Sequence, residues 1–188
     1  MRDSITTERL TLRTWRDSDH APFRALNRDA RVMEYFPALL ANEETDAAIG
    51  RIEKHFERHG FGLFAVELNQ TKAFIGFIGL NIPSFDAPFM PAVEIGWRLA
   101  HAAWGRGLAT EGAHAVVRHA LETLEIAELV SFTTAANLRS RRVMEKIGMV
   151  RDEAADFEHP DIPAGHPLRP HVLYRMDARA YARNERGG

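Results

Sequence analysis

The chain has 188 residues, of which 45% are hydrophobic and 27% charged, and this length and composition predict one folded domain over residues 1–188 and exclude a disordered segment. Its formal net charge is -2, which gives the molecule as a whole no electrostatic reason to bind nucleic acid or an anionic membrane. The chain contains no cysteine, so disulfides, thiolate metal ligands and a cysteine nucleophile are excluded, and a cytoplasmic location is expected.

The first half of the chain predicts strands and helices in an antiparallel order. Leu10 and Leu12 alternate with polar residues, and this alternation predicts a half-buried strand over Arg9–Trp15. Asp17 and Asp19 are expected to cap the short helix that follows. The next predicted elements are a helix from Asn42 to Gly60, strands Phe61–Leu68 and Ala73–Leu80 in a hairpin across Asn69–Lys72, a loop over Ile82–Pro91 and a strand over Val93–Leu99.

The second half of the chain predicts alternating strands and helices. Its most regular amphipathic pattern begins at Leu108 and repeats apolar residues at helical spacing as far as Leu124. Asn137 is expected to cap a further helix that runs to Ile147 and stops at Gly148. The remaining predicted elements are strands over Leu129–Thr134, Val150–Phe157 and Val172–Met176 and a long loop over Glu158–Pro170.

The segment between the strand that ends at Leu99 and the helix that begins near Leu108 has the order strand, glycine-rich turn, helix. Gly105 and Gly107 allow the backbone to approach a ligand closely, and Arg106 adds a positive charge. Because the first N–H groups of a helix have no partner within the helix, this turn is suited to a pyrophosphate group.

The alternative interpretation is an ordinary tight turn before a helix. Two glycines alone do not separate the alternatives. The segment is not a Walker A loop, because no Gly-Lys-Ser/Thr follows, and it is not the three-glycine dinucleotide motif, because Ala109 and Thr110 occupy the positions where a third glycine belongs.

Several segments along nearly the whole chain together carry a family resemblance. They are Glu8-Arg9-Leu10-x-Leu12-Arg13, Glu94-Ile95-Gly96-Trp97, Trp104-Gly105-Arg106-Gly107-Leu108-Ala109-Thr110-Glu111, Asn137-x-x-Ser140, Glu145-Lys146-Ile147-Gly148-Met149 and His171-Val172-Leu173-Tyr174. In this order they resemble the GNAT N-acetyltransferases, and most of all the branch that includes the RimJ/RimL-type ribosomal-protein-alanine N-acetyltransferases.

The resemblance implies an α/β fold with a mixed, twisted sheet of about six or seven strands flanked by helices. It also implies acetyl-coenzyme A as cosubstrate, with no metal. Acetyl-coenzyme A would lie where the strands around Glu94 and Val130 diverge, with its pyrophosphate on the backbone of Gly105–Thr110. The residues implied to bind the coenzyme are Ile95, Gly96, Trp97, Gly105, Arg106, Gly107, Leu108, Ala109, Thr110, Asn137 for the pantetheine arm and Arg142 for the 3′-phosphate.

Two side chains are candidates for proton transfer. Glu94 precedes the glycine turn on its strand, where GNAT enzymes often carry a carboxylate base; the alternative is a solvated strand glutamate. Ser140 is the candidate acid for the leaving thiolate, because Met144 stands where many members carry a tyrosine; the alternative is a serine that bonds the backbone of the first helical turn. Glu111 competes as a base, although a carboxylate in a first helical turn also simply stabilises the helix dipole.

The expected reaction is direct transfer of acetyl to a primary amine, with a protein N-terminal amine favoured by the resemblance. Two alternatives stay open: a small-molecule amine acetyltransferase and a non-catalytic acyl-coenzyme A sensor. No nucleic acid or membrane partner is expected, and a homodimer is left open.

Overall fold

The computed structural model describes residues 4–178 and 181–182. Most of its strands and helices lie where the periodic segments of the sequence predict them. Within these residues there are nine strands, of which β1, β7 and β8 have only two residues each. The chain divides into two compact units, Met1–Asn81 with Gly96–Val116 and Ile82–Ile95 with Val117–Gly188. The prediction of one domain over residues 1–188 stays a prediction.

The first unit contains an antiparallel sheet in the order β1-β2-β3-β4, followed by the end of β5. Its elements are β1 (Ile5–Thr6), β2 (Leu10–Arg13), α1 (His20–Asn27), α2 (Asn42–His59), β3 (Leu63–Leu68), β4 (Phe74–Asn81), the end of β5 (Val93–Leu99) and most of α3 (Leu108–Arg118). The predicted hairpin is confirmed, because β3 and β4 pair antiparallel. Leu10 and Leu12 are fully buried, as the alternation predicts.

Local signals end α2 as predicted. Gly60 adopts a left-handed conformation at φ +78° and its N–H donates to the carbonyl of Phe56 at 3.0 Å. Glycine suits this position because a Cβ disfavours a positive φ. The apolar stripe of the helix, with Ile49 and Phe56 among its members, is buried.

The predicted capping role of Asp19 is wrong. Asp19 precedes α1, but its carboxylate makes no bond to the helix. It accepts instead from the buried guanidinium of Arg13 at 2.7 and 2.9 Å and from the backbone N–H of Arg16 at 2.9 Å. Arg13 also donates to Glu67 at 3.0 Å. Because a buried, charged guanidinium is a stronger donor than a helix amide, the Asp19 carboxylate binds Arg13 and not the start of α1.

The second unit contains a mixed sheet, which confirms the predicted fold class. The start of β5 pairs parallel with β6 (Glu128–Thr134), and β6 pairs antiparallel with β9 (Pro170–Asp177). The outer side of β9 pairs with β7 (Val150–Arg151) and β8 (Phe157–Glu158). The helix of this unit after β6 is α4 (Leu138–Lys146).

Two predictions for this region need correction. Val150–Phe157 is not one strand, because a 3-10 turn over Glu153–Ala155 separates β7 from β8. The helix predicted from Leu108 to Leu124 is α-helical only to Arg118 and continues as a π-helical segment over His119–Thr123. Among the described helices, none has the length and apolar character needed to span a membrane.

Candidate active site

The glycine turn before α3 has the backbone conformation that the sequence predicts. Gly105 has φ +71° and Gly107 has φ +76°, both in the left-handed region. A Cβ on Gly105 would meet no atom within 4 Å, so the glycine is required by backbone conformation and the space beside it is open. The N–H of Glu111 donates to the carbonyl of Gly107 at 3.0 Å, which makes Gly107 the residue that starts the helix.

The backbone N–H groups of Leu108, Ala109 and Thr110 therefore lie in the first turn of α3, where helix amides have no partner within the helix. The turn itself, Gly105–Gly107, is exposed. Trp104 ties it to the preceding strand, since its indole N–H donates to the carbonyl of Leu99 at 2.8 Å. This geometry fits an anionic group such as a pyrophosphate.

Arg9 and Glu111 brace the same turn. Arg9 Nη1 donates to the carbonyl of Arg106 at 2.9 Å, and Arg9 Nε donates to Glu111 Oε2 at 2.6 Å. Glu111 Oε1 also accepts from Thr7 Oγ1 at 2.6 Å and from the N–H of Arg9 at 2.9 Å. Burial opposes ionisation of Glu111, but the bonds from Thr7 and Arg9 outweigh it and lower its pKa below 4.5. The structural interpretation of Glu111 is therefore favoured over a role as base.

In the second unit, Glu94 is in register with Val130, and Val93 with Leu129. One residue further, Ser131 Oγ donates to the carbonyl of Ile95 at 2.9 Å. Because register partners on neighbouring strands point to the same side, half-buried Glu94 lies on the sheet face that carries Val130. The following candidates, Gly96 and Trp97, belong to the end of β5 in the first unit and are half-buried.

Asn137 and Ser140 are brought together by the predicted helix cap. Asn137 Oδ1 accepts from the N–H of Ser140 at 3.2 Å, and its Nδ2 donates to Thr133 Oγ1 at 3.1 Å. An amide side chain has two N–H donors and two lone pairs, so capacity remains for a ligand. Ser140 is half-buried in the first turn of α4, and Arg142, two residues further along the helix, is exposed.

A cluster of rings in the second unit was not predicted from the sequence. This aromatic cluster comprises Phe85, Phe89, Phe132, Phe157, His159 and His171. Ring centroids are 4.5 Å apart for Phe85 and His159 and 5.1 Å apart for His159 and His171. Burial lowers the pKa of both histidines below 6.5. Phe85 and Phe89, from the loop over Ile82–Pro91, therefore pack against other rings of the second unit, and His159 and His171 belong to the same packing.

Register places the aromatic cluster on the same face of the second unit's sheet as Glu94. Phe132 lies two residues after Val130 on β6, and β9 and β8 add His171 and Phe157 to that face. The alternation along β6 indicates that Phe132 lies on this face, but the rings that contact Phe132 come from distant segments of the chain. Within the described residues there is no group of three or more His, Asp or Glu side chains arranged to hold a metal ion.

Comparison with known proteins gives consistent matches. Residues 9–150 match a family model described as an acetyltransferase (GNAT) domain. The uncharacterized N-acetyltransferase YnaD of Bacillus subtilis strain 168 is 28% identical over 92% of this chain and 95% of its own length. An acetyltransferase from Agrobacterium tumefaciens strain C58 superposes with a TM-score of 0.74 at 30% identity, covering 93% of this chain and 94% of that one.

The same fold occurs in RimL, described as a ribosomal L7/L12 α-N-protein acetyltransferase in complex with coenzyme A. The TM-score is 0.75 at 16% identity, over 95% of this chain and 99% of that chain. At this identity the match concerns the fold.

Proposed function

The chain belongs to the GNAT acetyltransferase family and is an acetyl-coenzyme A-dependent acyltransferase, and we propose that it transfers acetyl directly to a primary amine, with a protein N-terminal amine favoured. The observation that carries this proposal is the turn with two left-handed glycines immediately before α3. Its conformation, its exposed position and the first-turn amides of α3 that follow it meet the requirement of a phosphate-binding helix start.

In this proposal the backbone of Gly105–Thr110 holds the coenzyme pyrophosphate, and Arg106 adds a positive charge beside it. The open space at Gly105 and the Arg9–Glu111 brace support this role, because a ligand can approach a turn that is already fixed. Asn137 bonds the pantetheine arm through its spare amide capacity, and exposed Arg142 meets the 3′-phosphate. The bound coenzyme supplies an acetyl group activated as a thioester.

Glu94 acts as the general base. An α-amino group with a pKa of about 7.7–8.0 is only about a tenth to a sixth neutral at pH 7, so a base near the amine increases the reactive fraction and removes the proton as the bond forms. The half-buried position of Glu94 on a strand that leads towards Gly96 and Trp97 supports this assignment. In this proposal a bulge at Gly96 splays the backbone N–H groups near Ile95–Trp97, which then polarise the acetyl carbonyl.

Ser140 donates the proton that the departing thiolate of the coenzyme requires. Its N–H is fixed by the Asn137 cap, which positions the residue at the start of α4. The absence of cysteine supports direct attack, since the usual thiol nucleophile for a covalent intermediate is missing from the chain. The cytoplasmic location and the homodimer remain predictions.

The test combines calorimetric titration with turnover measurements. Acetyl-coenzyme A should bind saturably, whereas ATP and NAD should not. With a panel of N-terminal peptides, Glu94→Gln and Ser140→Ala should each lower kcat by about 10²–10³-fold without weakening coenzyme binding. Glu153→Gln and Ser84→Ala are matched controls on exposed residues of the second unit.

Full turnover in both variants would show that the catalytic assignment is wrong. Coenzyme binding without transfer to any amine would instead support the acyl-coenzyme A sensor.

A further inference from the structure

Arg98, near the end of β5 in the first unit, is half-buried and has an environment unlike that of buried Arg13. Its Nη1 donates to Asn27 Oδ1 at 2.7 Å. Its Cζ lies 4.0 Å from the centroid of the Phe36 ring and 5.5 Å from that of Phe77. Aromatic rings therefore cover the guanidinium, and its Nη1 group is hydrogen-bonded to an uncharged side-chain amide.

No carboxylate of the described residues forms an ion pair with Arg98. Its Nε is buried without any hydrogen-bond partner, and the residues described provide no acceptor for its Nη2. By contrast, buried Arg13 donates to two carboxylates. Burial lowers the pKa of Arg98 to about 10, so the side chain still carries its charge at neutral pH.

A buried charge without a counter-ion is unfavourable unless something else compensates it. The two groups of Arg98 that lack partners, Nε and Nη2, form one edge of the guanidinium. This edge matches the spacing of a carboxylate, which accepts two parallel N–H bonds from it. Arg98 is half-buried as a residue, and its Nε is buried.

We propose that Arg98 binds the carboxylate of the acceptor, and that the preferred acceptor carries this carboxylate close to its amine. This inference rests on the proposed function. Arg98 directly follows Gly96 and Trp97, which are proposed to contact the acetyl carbonyl, whereas the phosphates of the coenzyme are assigned to the starts of α3 and α4. An anion at Arg98 is thus supplied by the acceptor. Polyamines are disfavoured, because their positive charges would meet an uncompensated guanidinium.

The experiment compares acceptors that differ only in this charge. One pair is a peptide beginning Ser-Asp and the same peptide beginning Ser-Asn; the second pair is alanine and alaninamide. Acetyl transfer is followed by thiol release. For the wild-type protein, kcat/KM should be about tenfold or more higher for the carboxylate member of at least one pair, in line with a charged hydrogen-bonded pair.

Two variants remove the attraction in different ways. Arg98→Met deletes the positive charge, and Asn27→Asp gives Arg98 a carboxylate within the protein. In both, the ratio of kcat/KM between pair members should fall to about one, while the Kd of acetyl-coenzyme A stays within about twofold. Arg31→Met, which removes an exposed arginine paired with Asp29, is the matched control and should keep the ratio.

Thermal unfolding separates binding from a structural role. If Arg98 is kept for a ligand, Arg98→Met should leave Tm unchanged or raise it, because an uncompensated buried charge is removed. N-acetylalanine, a product-like carboxylate, should raise the Tm of the wild-type protein more than N-acetylalaninamide does, and this difference should vanish in Arg98→Met.

The failures are distinguishable. Equal kcat/KM for both members of each pair in the wild-type protein would overturn the inference and leave the acetyltransferase proposal standing. A weaker Kd for acetyl-coenzyme A in Arg98→Met, with the ratio kept, would assign Arg98 to the coenzyme and also overturn the inference. If no amine is acetylated, the proposed function fails, and the N-acetylalanine arm still decides whether Arg98 binds a carboxylate.

Discussion

Glu111→Gln removes the negative charge that braces the glycine turn and leaves the volume of the side chain unchanged. Glu111 accepts from Thr7, from the N–H of Arg9 and from the Arg9 guanidinium, at 2.6 to 2.9 Å. Arg9 is 45% exposed, so its ion pair is screened, and a glutamine retains one acceptor. The expected loss is about 1–2 kcal/mol, most of it from the Thr7 and backbone bonds to the charged group.

For a chain of this size, a loss of about 1.5 kcal/mol lowers Tm by about 3–6 °C. Arg9 also bonds the carbonyl of Arg106, so a loosened brace should weaken binding of acetyl-coenzyme A about threefold to tenfold while kcat at saturation changes less than about twofold. Calorimetry and initial rates measure the two effects. Glu53→Gln, an exposed glutamate of α2, is the matched control.

The pH dependence gives a second readout. The pKa of Glu111 is lower in the folded protein than its ordinary 4.5. The stability that the ionised carboxylate gives to the fold is therefore complete above pH 4.5 and is lost as the pH falls through the pKa of the folded protein. The difference in Tm between wild type and Glu111→Gln should therefore shrink below about pH 4.5. A fall in kcat of more than about tenfold at unchanged coenzyme affinity would contradict this reasoning and make Glu111 part of the reaction.

Three further outcomes are expected. Gly107→Ala forces a Cβ into φ +76° and should raise the Kd of acetyl-coenzyme A about tenfold, whereas Gly50→Ala within α2 should not; equal affinities would refute the turn's role. Arg13→Met leaves buried Asp19 without its cation and leaves buried Glu67 paired only with exposed Arg16, so it should cost about 3–5 kcal/mol in urea unfolding; a loss below about 1 kcal/mol would argue against the network. Burial lowers the pKa of His171, so the folded protein favours the neutral imidazole. The Tm should therefore fall as the pH drops below 6.5, and it should fall less in His171→Phe. Parallel curves of Tm against pH for the two proteins would contradict this.

The helix ends and the glycine turn were predictable because their signals are local. Asn137 caps α4 by bonding the N–H three residues on, and Gly60 ends α2 by its own left-handed conformation. The same holds for Gly105 and Gly107. β1 was not predicted, and β7 and β8 were merged into one predicted strand over Val150–Phe157, because two residues are too few to show an alternating pattern.

The roles of charged and aromatic side chains depended on partners far away in the chain. Asp19 has the sequence context of a helix cap, but the folded chain brings it Arg13 as a stronger donor. Glu111 has the context of a first-turn acid, and Thr7, 104 residues away, completes its hydrogen bonds.

By itself, the sequence determined the family, the α/β class, the glycine turn before α3, the end of α2 and the start of α4, since each depends on the conformational preferences of a few neighbouring residues or on motifs in a fixed order. Only the tertiary structure decided that Arg98 has no carboxylate partner within residues 4–178 and 181–182, and that Phe85, Phe132 and Phe157 meet on the face of Glu94. Burial and pairing are set by the whole set of surrounding residues, and no local pattern encodes that set.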